Sequence, residues 1–213
     1  MTVTKPFRYL YIKTTNLTHG YQDNRSQLSV FYQLWAPLYD FSVWIDPAYK
    51  RNLFQMVKLV VQDGDAVLDV GCGTGLATVA AAENAQSVVA LDPSQEMLSK
   101  LQKKLKRKHV SNVEIIHGYF PHALADRSVF DSIVSSFTLA HFSPDAKREA
   151  LKAMFDRLAP GGRLGLFGAR GEIATSFQTR DELLQNLSAA GSKDAGISDV
   201  SDIYRIATAT RWA

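Results

Sequence analysis

Val67-Leu68-Asp69-Val70-Gly71-Cys72-Gly73-Thr74-Gly75 is the stretch that decides the fold. Branched apolar residues run into a loop with glycine at alternate positions, and a helical pattern opens at Leu76. A buried strand that turns sharply into a helix through bare backbone starts a βα unit and presents its loop to a ligand at the carboxyl end of the strand. Asp92 closes the next apolar run, 21 residues beyond Gly71. A carboxylate there accepts hydrogen bonds from both hydroxyls of a ribose and repels a 2′-phosphate. The dinucleotide fingerprint G-x-G-x-x-G needs a third glycine where Leu76 stands, so the loop departs from it by one residue. Loop and acid together imply an adenosine-containing ligand without demanding a pyrophosphate.

Working outward, apolar runs rich in Val, Ile and Leu alternate with helical patterns from about Asp65 onward, the spacing of repeated βα units. Ala66 to Val70, Ser87 to Leu91, Val113 to His117, Asp131 to Ser135 and Gly162 to Gly168 are predicted strands, the first four parallel and covered on both faces. A helix is predicted over Ser94 to His109, with an apolar stripe of Met97, Leu98, Leu101 and Leu105 and Ser94 as N-cap. Ser143-Pro144-Asp145 opens another that runs to about Leu158, and Ala159-Pro160-Gly161-Gly162 is expected to break the chain before the next strand. A helix over about Thr179 to Ala190 precedes two strands, Asp194 to Asp199 and Ile203 to Arg211. These are too close for a parallel crossover and must form an antiparallel hairpin. Before Asp65, helices are expected over about Asn24 to Asp40, dense in aromatics, and Asp46 to Val61.

The 213 residues are 46% apolar and 21% charged, an ordinary globular composition at a length suited to one α/β domain. No apolar stretch reaches the roughly 20 residues of a membrane span, and Met1 to Lys13 lacks the apolar centre of a signal peptide, so a cytoplasmic location is expected. The single cysteine, Cys72, forms no internal disulfide and supports no cysteine-rich zinc site. Six of the 24 basic residues, Lys100, Lys103, Lys104, Lys106, Arg107 and Lys108, lie in one helix, and without them the formal charge of +3 changes sign. That run reads as a solvated face, or as a peripheral contact with an anionic membrane over Lys100 to Lys108. No aromatics interleave with it, which argues against nucleic acid as a partner.

Val67 to Gly75, then Leu91-Asp92-Pro93-Ser94-Gln95-Glu96-Met97-Leu98, then Phe130-Asp131-Ser132-Ile133-Val134-Ser135-Ser136, then Leu158-Ala159-Pro160-Gly161-Gly162-Arg163-Leu164 resemble, in this order, the motif set of class I S-adenosylmethionine-dependent methyltransferases. The likeness is to the small-molecule branch that includes the ubiquinone/menaquinone-biosynthesis-like enzymes, and it covers about Tyr32 to Arg211. It implies an α/β, Rossmann-like fold: a seven-stranded mixed sheet with a C-terminal antiparallel hairpin. A helical cap over residues 1–62 and a core over 63–213 would make one methyltransferase domain.

The resemblance also implies S-adenosyl-L-methionine as cofactor and S-adenosyl-L-homocysteine as product. It puts the donor's methionine part against Asp69, Gly71 and Gly73 and its ribose on Asp92, with Cys72 of the same loop in the donor set. Pro93 and Ser94 would shape the adenine side, with Met97 a turn into the next helix, and Ser136 would lie beside the reactive methyl. Tyr119 and Phe120 complete the expected donor set, although the family usually carries an acid where Tyr119 stands. The N-terminal segment of the family often covers the site, which makes Tyr39 a candidate pocket residue.

The expected reaction is methyl transfer to a small, lipophilic acceptor by direct in-line displacement, with His141 or Tyr39 removing a proton where the acceptor carries one. Two alternatives stand beside it: a donor-binding regulator or partner subunit without chemistry, and a nucleotide-dependent oxidoreductase using the same loop. Each residue also has a plainer role, His141 and Tyr39 as core packing and Asp92 as a strand-end cap. Cys72 has no neighbouring base or cation in the sequence to make a thiolate, so it reads as a small loop residue, which excludes the covalent-cysteine route of cytosine C5 methylation. Ser136-Phe137-Thr138-Leu139 stands where an adenine N6 enzyme would carry Asn-Pro-Pro-aromatic.

Overall fold

The computed structural model describes Ile12 and residues 46–124 and 129–212. Tyr39 and the aromatic-dense helix expected over residues 24–40 lie outside the described residues. The strands are β1 (Ala66–Val70), β2 (Ser87–Asp92), β3 (Val113–His117), β4 (Phe130–Ser136), β5 (Leu158–Ala169), β6 (Gly196–Asp199) and β7 (Tyr204–Thr210). The helices are α1 (Pro47–Val60), α2 (Leu76–Ala81), α3 (Gln95–Lys108), α4 (Pro144–Asp156) and α5 (Arg180–Ala189), with a 3-10 turn over Thr138–His141.

These strands form one mixed sheet in the order β3-β2-β1-β4-β5-β7-β6. The five from β3 to β5 are parallel, and β7 runs antiparallel to both β5 and β6. The order reverses between β1 and β2 on one side and β4 on the other, so a crevice opens above the carboxyl ends of β1 and β4, where ligands of open α/β sheets bind.

Local sequence chemistry sets the helix starts. Asp46 caps α1 by accepting from Ala48 and Tyr49 N–H, with Pro47 in the first turn. Ser94 and Ser143 cap α3 and α4 as their positions predict, and Thr179 forms a capping box with Glu182 on α5. No glycine ends α3: His109 takes the left-handed conformation at φ 56° and stops it.

The sheet is covered on both faces. On one, α1 and α2 bury Leu53, Met56, Val60 and Ala77 against Val67, Val134, Phe167 and Ile206. On the other, α4 and α5 bury Leu151, Met154 and Leu187 against Leu68, Ile133, Leu164 and Ala207. Each of the larger of these side chains stabilises the fold by roughly 1.5–3 kcal/mol. The closeness of α1 to the sheet depends on Gly165, where an added Cβ would stand 2.6 Å from Met56 Sδ.

One expectation is corrected. Ala159-Pro160-Gly161-Gly162 does not separate α4 from the strand: β5 begins at Leu158 and runs through these residues. Phe130 pairs with Leu158 and Ser132 with Arg163, so the stretch is accommodated as an irregularity in the ladder. The left-handed Gly161 donates its N–H to Arg211 O at 2.7 Å, and Arg211 N–H returns to Gly162 O at 2.9 Å. Proline costs no ladder bond where the register is already broken, so the breaker residues make a bulge rather than a loop.

Candidate active site

The glycine loop is fastened from two sides. Gly71 and Cys72 N–H both donate to Leu91 O, at 2.8 and 3.0 Å, which ties the loop to the end of β2. From β4 and the turn after it, Ser135 Oγ and Thr138 Oγ1 donate to Val70 O at 2.9 and 3.1 Å, and Thr138 Oγ1 also lies 3.3 Å from Gly71 O. Thr138 approaches so closely that a Cβ on Gly71 would stand 2.2 Å from its Oγ1, and Gly71 has φ +69°. Both facts require glycine there.

Asp92 plays a part in this frame that its sequence position does not reveal. Its Oδ2 accepts from Gly73 N–H and its Oδ1 from Ser94 N–H, each at 2.8 Å, so it joins the loop to the start of α3. Each oxygen keeps a second lone pair for a ligand hydroxyl. Burial pushes its carboxyl up to about 6, partly opposed by the Ser94 and Gly73 N–H groups.

Asp69 is fully buried at the end of β1, and its Oδ2 accepts from Thr78 Oγ1 at 2.6 Å. Its Oδ1 has no hydrogen-bond partner. Burial pushes this carboxyl up to about 7, against the opposing effect of the Thr78 hydroxyl and with a further upward push from Asp92. A buried carboxylate oxygen without a donor carries a desolvation cost that a ligand ammonium would remove.

The cavity beside this oxygen brings together five of the residues singled out by sequence: Asp69, Gly71, Cys72, Gly73 and Ser136. The others stand round it in various ways. Pro93 is half-buried, its carbonyl 3.0 Å from His117 Nε2, and Met97 and Phe120 are buried. Tyr119 is half-buried on the turn after β3, and His141 is buried on the 3-10 turn without lining the cavity. Burial pushes the Cys72 thiol up, the opposite of what an activated thiolate needs.

Leu76, where α2 opens, Tyr49, Leu53, Thr74 and Ala77 complete the wall, and the sequence reading gave none of them a site role. Tyr49 is 2% exposed on α1, its hydroxyl 3.1 Å from Ser136 Oγ. Its ring packs at 5.2–5.9 Å from Phe137, Phe167 and Tyr204. The α1 pattern marks Tyr49 as buried, but nothing local says that its hydroxyl meets a residue 87 positions away. One lysine of the basic run also reaches this region, with Lys104 Nζ 3.4 Å from Thr74 Oγ1.

A family profile described as "Methyltransferase domain" matches residues 67–162, from β1 through the start of β5. An uncharacterized methyltransferase of Geobacillus kaustophilus is 30% identical over 183 residues, covering 84% of this chain and 79% of the relative. The chain belongs to the class I methyltransferase family. A demethylmenaquinone methyltransferase of a Geobacillus species is 35% identical over 112 residues, 51% of this chain and 47% of the relative. The fold of this family member superposes on magnesium protoporphyrin IX methyltransferase from Synechocystis PCC 6803, solved with bound S-adenosylmethionine. That match has TM-score 0.70 at 17% identity and covers 88% of this chain and 96% of the other. The chain spans 63–66% of the length of the first curated relatives it matches. Among the described residues no helix is long and apolar enough to cross a membrane.

Proposed function

We propose that the protein transfers a methyl group from S-adenosyl-L-methionine to a small, lipophilic acceptor by direct in-line displacement, releasing S-adenosyl-L-homocysteine. The observation that carries this reading is the unpartnered Oδ1 of Asp69 in a cavity walled by the backbone of Gly71 and Gly73. A buried carboxylate held in place by Thr78 is complementary to the donor's α-ammonium, and the bare loop admits the methionine chain. When bound, the donor supplies a methyl group already activated on a sulfonium.

The chain's own residues then position and enclose. Asp92 offers its remaining lone pairs to the ribose hydroxyls while keeping the loop fastened to α3. Tyr49 and Ser136 close the cavity, and their aromatic surroundings exclude water from the transfer line. Alignment of this kind supplies roughly 7–11 kcal/mol of a barrier without any covalent step on the protein. For an acceptor that arrives protonated, His141 on the turn after β4 and Tyr39 are the candidate bases. The demethylmenaquinone methyltransferase relative supports a small-molecule acceptor. The exposed Lys103, Lys106, Arg107 and Lys108 give α3 a face suited to an anionic membrane surface from which a lipophilic acceptor is drawn.

The test is acceptor-dependent release of S-adenosyl-L-homocysteine from a panel of quinols, phenols and amines of graded lipophilicity, with Asp69→Asn as control. Turnover that rises with acceptor lipophilicity and is lost in the variant supports the reading. A protein that neither binds the donor product nor turns over refutes it. Sedimentation with phosphatidylglycerol vesicles, abolished by raised salt, tests the membrane contact.

A further inference from the structure

A second cavity lies across the Ser135–Thr138 segment from the donor cavity, between the sheet and the N-terminal ends of α4 and α5. Its volume is ≈ 50 Å³ and it opens to solvent. At roughly 10–15 Å³ per group the enclosed part takes a carboxylate and the first carbons of a chain, and the rest of a short chain lies toward the mouth. Most of its wall is apolar, with Leu139, Leu166, Phe167, Leu183 and Ala207.

One charged group on this wall lacks a counter-ion. Lys147 on α4 is 4% exposed, and its Nζ donates to Ser176 O at 2.7 Å. Among the described residues no carboxylate stands within ion-pair distance of it. Glu182, whose charge reaches it from α5, is held by the backbone N–H and hydroxyl of Thr179 at 2.8 and 2.9 Å. The other cation on the wall, Arg205, is matched by Asp199 at 2.7 Å and Glu172 at 3.2 Å. Lys147 therefore carries the uncompensated charge, and burial pulls its ammonium down to about 8, so it is still charged at neutral pH. A buried ammonium with one hydrogen bond and no carboxylate in contact is costly, and a ligand carboxylate removes that cost.

We propose that this cavity binds a short aliphatic carboxylate, the carboxylate on Lys147 Nζ and the alkyl chain against Leu166, Leu183 and Ala207. A mostly apolar lining with one uncompensated charge is the ordinary composition of a small-molecule site. Such a ligand lies beside the residues that fasten the donor loop: Ser135 and Thr138 both line this cavity, their hydroxyls hold Val70 O, and Thr138 Oγ1 also lies against Gly71 O.

Titration of the full chain with valerate, followed by calorimetry and by thermal shift, tests the site without any donor. Valerate binds saturably, and valeramide, which has the same shape without the charge, binds about ten- to a hundredfold more weakly. Lys147→Met, which keeps the stem and removes the ammonium, loses valerate to the same degree and binds S-adenosyl-L-homocysteine as the parent does. Equal binding of valerate and valeramide, or undiminished valerate binding in a folded Lys147→Met, overturns the proposal. So does a parent protein that binds S-adenosyl-L-homocysteine but shows no saturable valerate binding. Should Lys147→Met fail to fold, the comparison of valerate with valeramide on the parent decides alone.

Discussion

Replacing Asp69 by asparagine separates what this residue costs the fold from what it does for a ligand, because the two effects have opposite signs. Its carboxyl is pushed from 3.8 up to about 7 by burial, so the folded protein binds a proton there that the unfolded chain has already released. Where the folded pKa lies above the unfolded one, stability is highest below the unfolded value and falls as pH rises through the window between them, here from about 4 to about 7. At about 1.36 kcal/mol per unit, the ionised carboxylate destabilises the protein by roughly 4 kcal/mol at pH 8 and by under about 2 kcal/mol at pH 5. Asparagine keeps an acceptor for the Thr78 hydroxyl, now at 2.6 Å from Asp69 Oδ2, and removes the charge. Asp69→Asn is therefore more stable than the parent at pH 8, and the gap narrows toward pH 4. Urea unfolding at pH 5 and pH 8, followed by circular dichroism, reads both values, and calorimetry with S-adenosyl-L-homocysteine reads the loss of binding. A variant less stable than the parent at pH 8, or one with unchanged affinity, refutes the assignment of the unpartnered oxygen to a cationic ligand.

Further outcomes follow from the same frame. Donor-product affinity in the parent falls as pH drops below about 6 to 7, because Asp69 and Asp92 take up protons there; a calorimetric series from pH 5 to pH 8 checks it. Asp92→Ala leaves the Gly73 and Ser94 N–H groups without acceptors, at about 1–3 kcal/mol each, so it weakens both fold and ligand binding, measurable by urea midpoint and calorimetry. Gly71→Ala drives a Cβ into Thr138 and strains a left-handed backbone; a loss of roughly 2 kcal/mol or more in stability, with loss of ligand binding, is expected in the same assays. Tyr49→Phe keeps the ring packing and removes the hydroxyl facing Ser136, so stability changes by about 1 kcal/mol or less while turnover falls.

The parts legible in the sequence are those governed by local rules. Strand periods, the serine caps at Ser94 and Ser143, and the glycine loop followed by Asp92 fix the alternation of β and α and put the loop and its acid at the ends of β1 and β2. The crowding of the last two strands fixes their hairpin, although not the insertion of β7 between β5 and β6. The misread stretch, Ala159 to Gly162, shows the limit of breaker residues as signals: whether Pro-Gly-Gly ends a strand or bulges it depends on a partner such as Arg211, contributed from far along the chain.

The same holds within the site. Asp92 stands out in the sequence as an acid at a strand end after the glycine loop, but its bonds to Gly73 and Ser94 N–H depend on how the loop folds back over β2. Tyr49, Thr78 and Thr138 carry no motif of their own. Their roles arise because the sheet brings α1, α2 and the turn after β4 to one point. Lys147 is similarly silent, since a lysine on an amphipathic helix ordinarily reaches water. Here it is buried, with its Nζ on Ser176 O, 29 positions away.

A crystal structure of the chain with S-adenosyl-L-homocysteine tests the central claim most directly. The account predicts the ligand's ammonium within hydrogen-bonding distance of Asp69 Oδ1, its ribose on Asp92, and its sulfur beside Ser136 and Tyr49. A ligand seated elsewhere, or one bound with Asp69 Oδ1 still unpartnered, would contradict it.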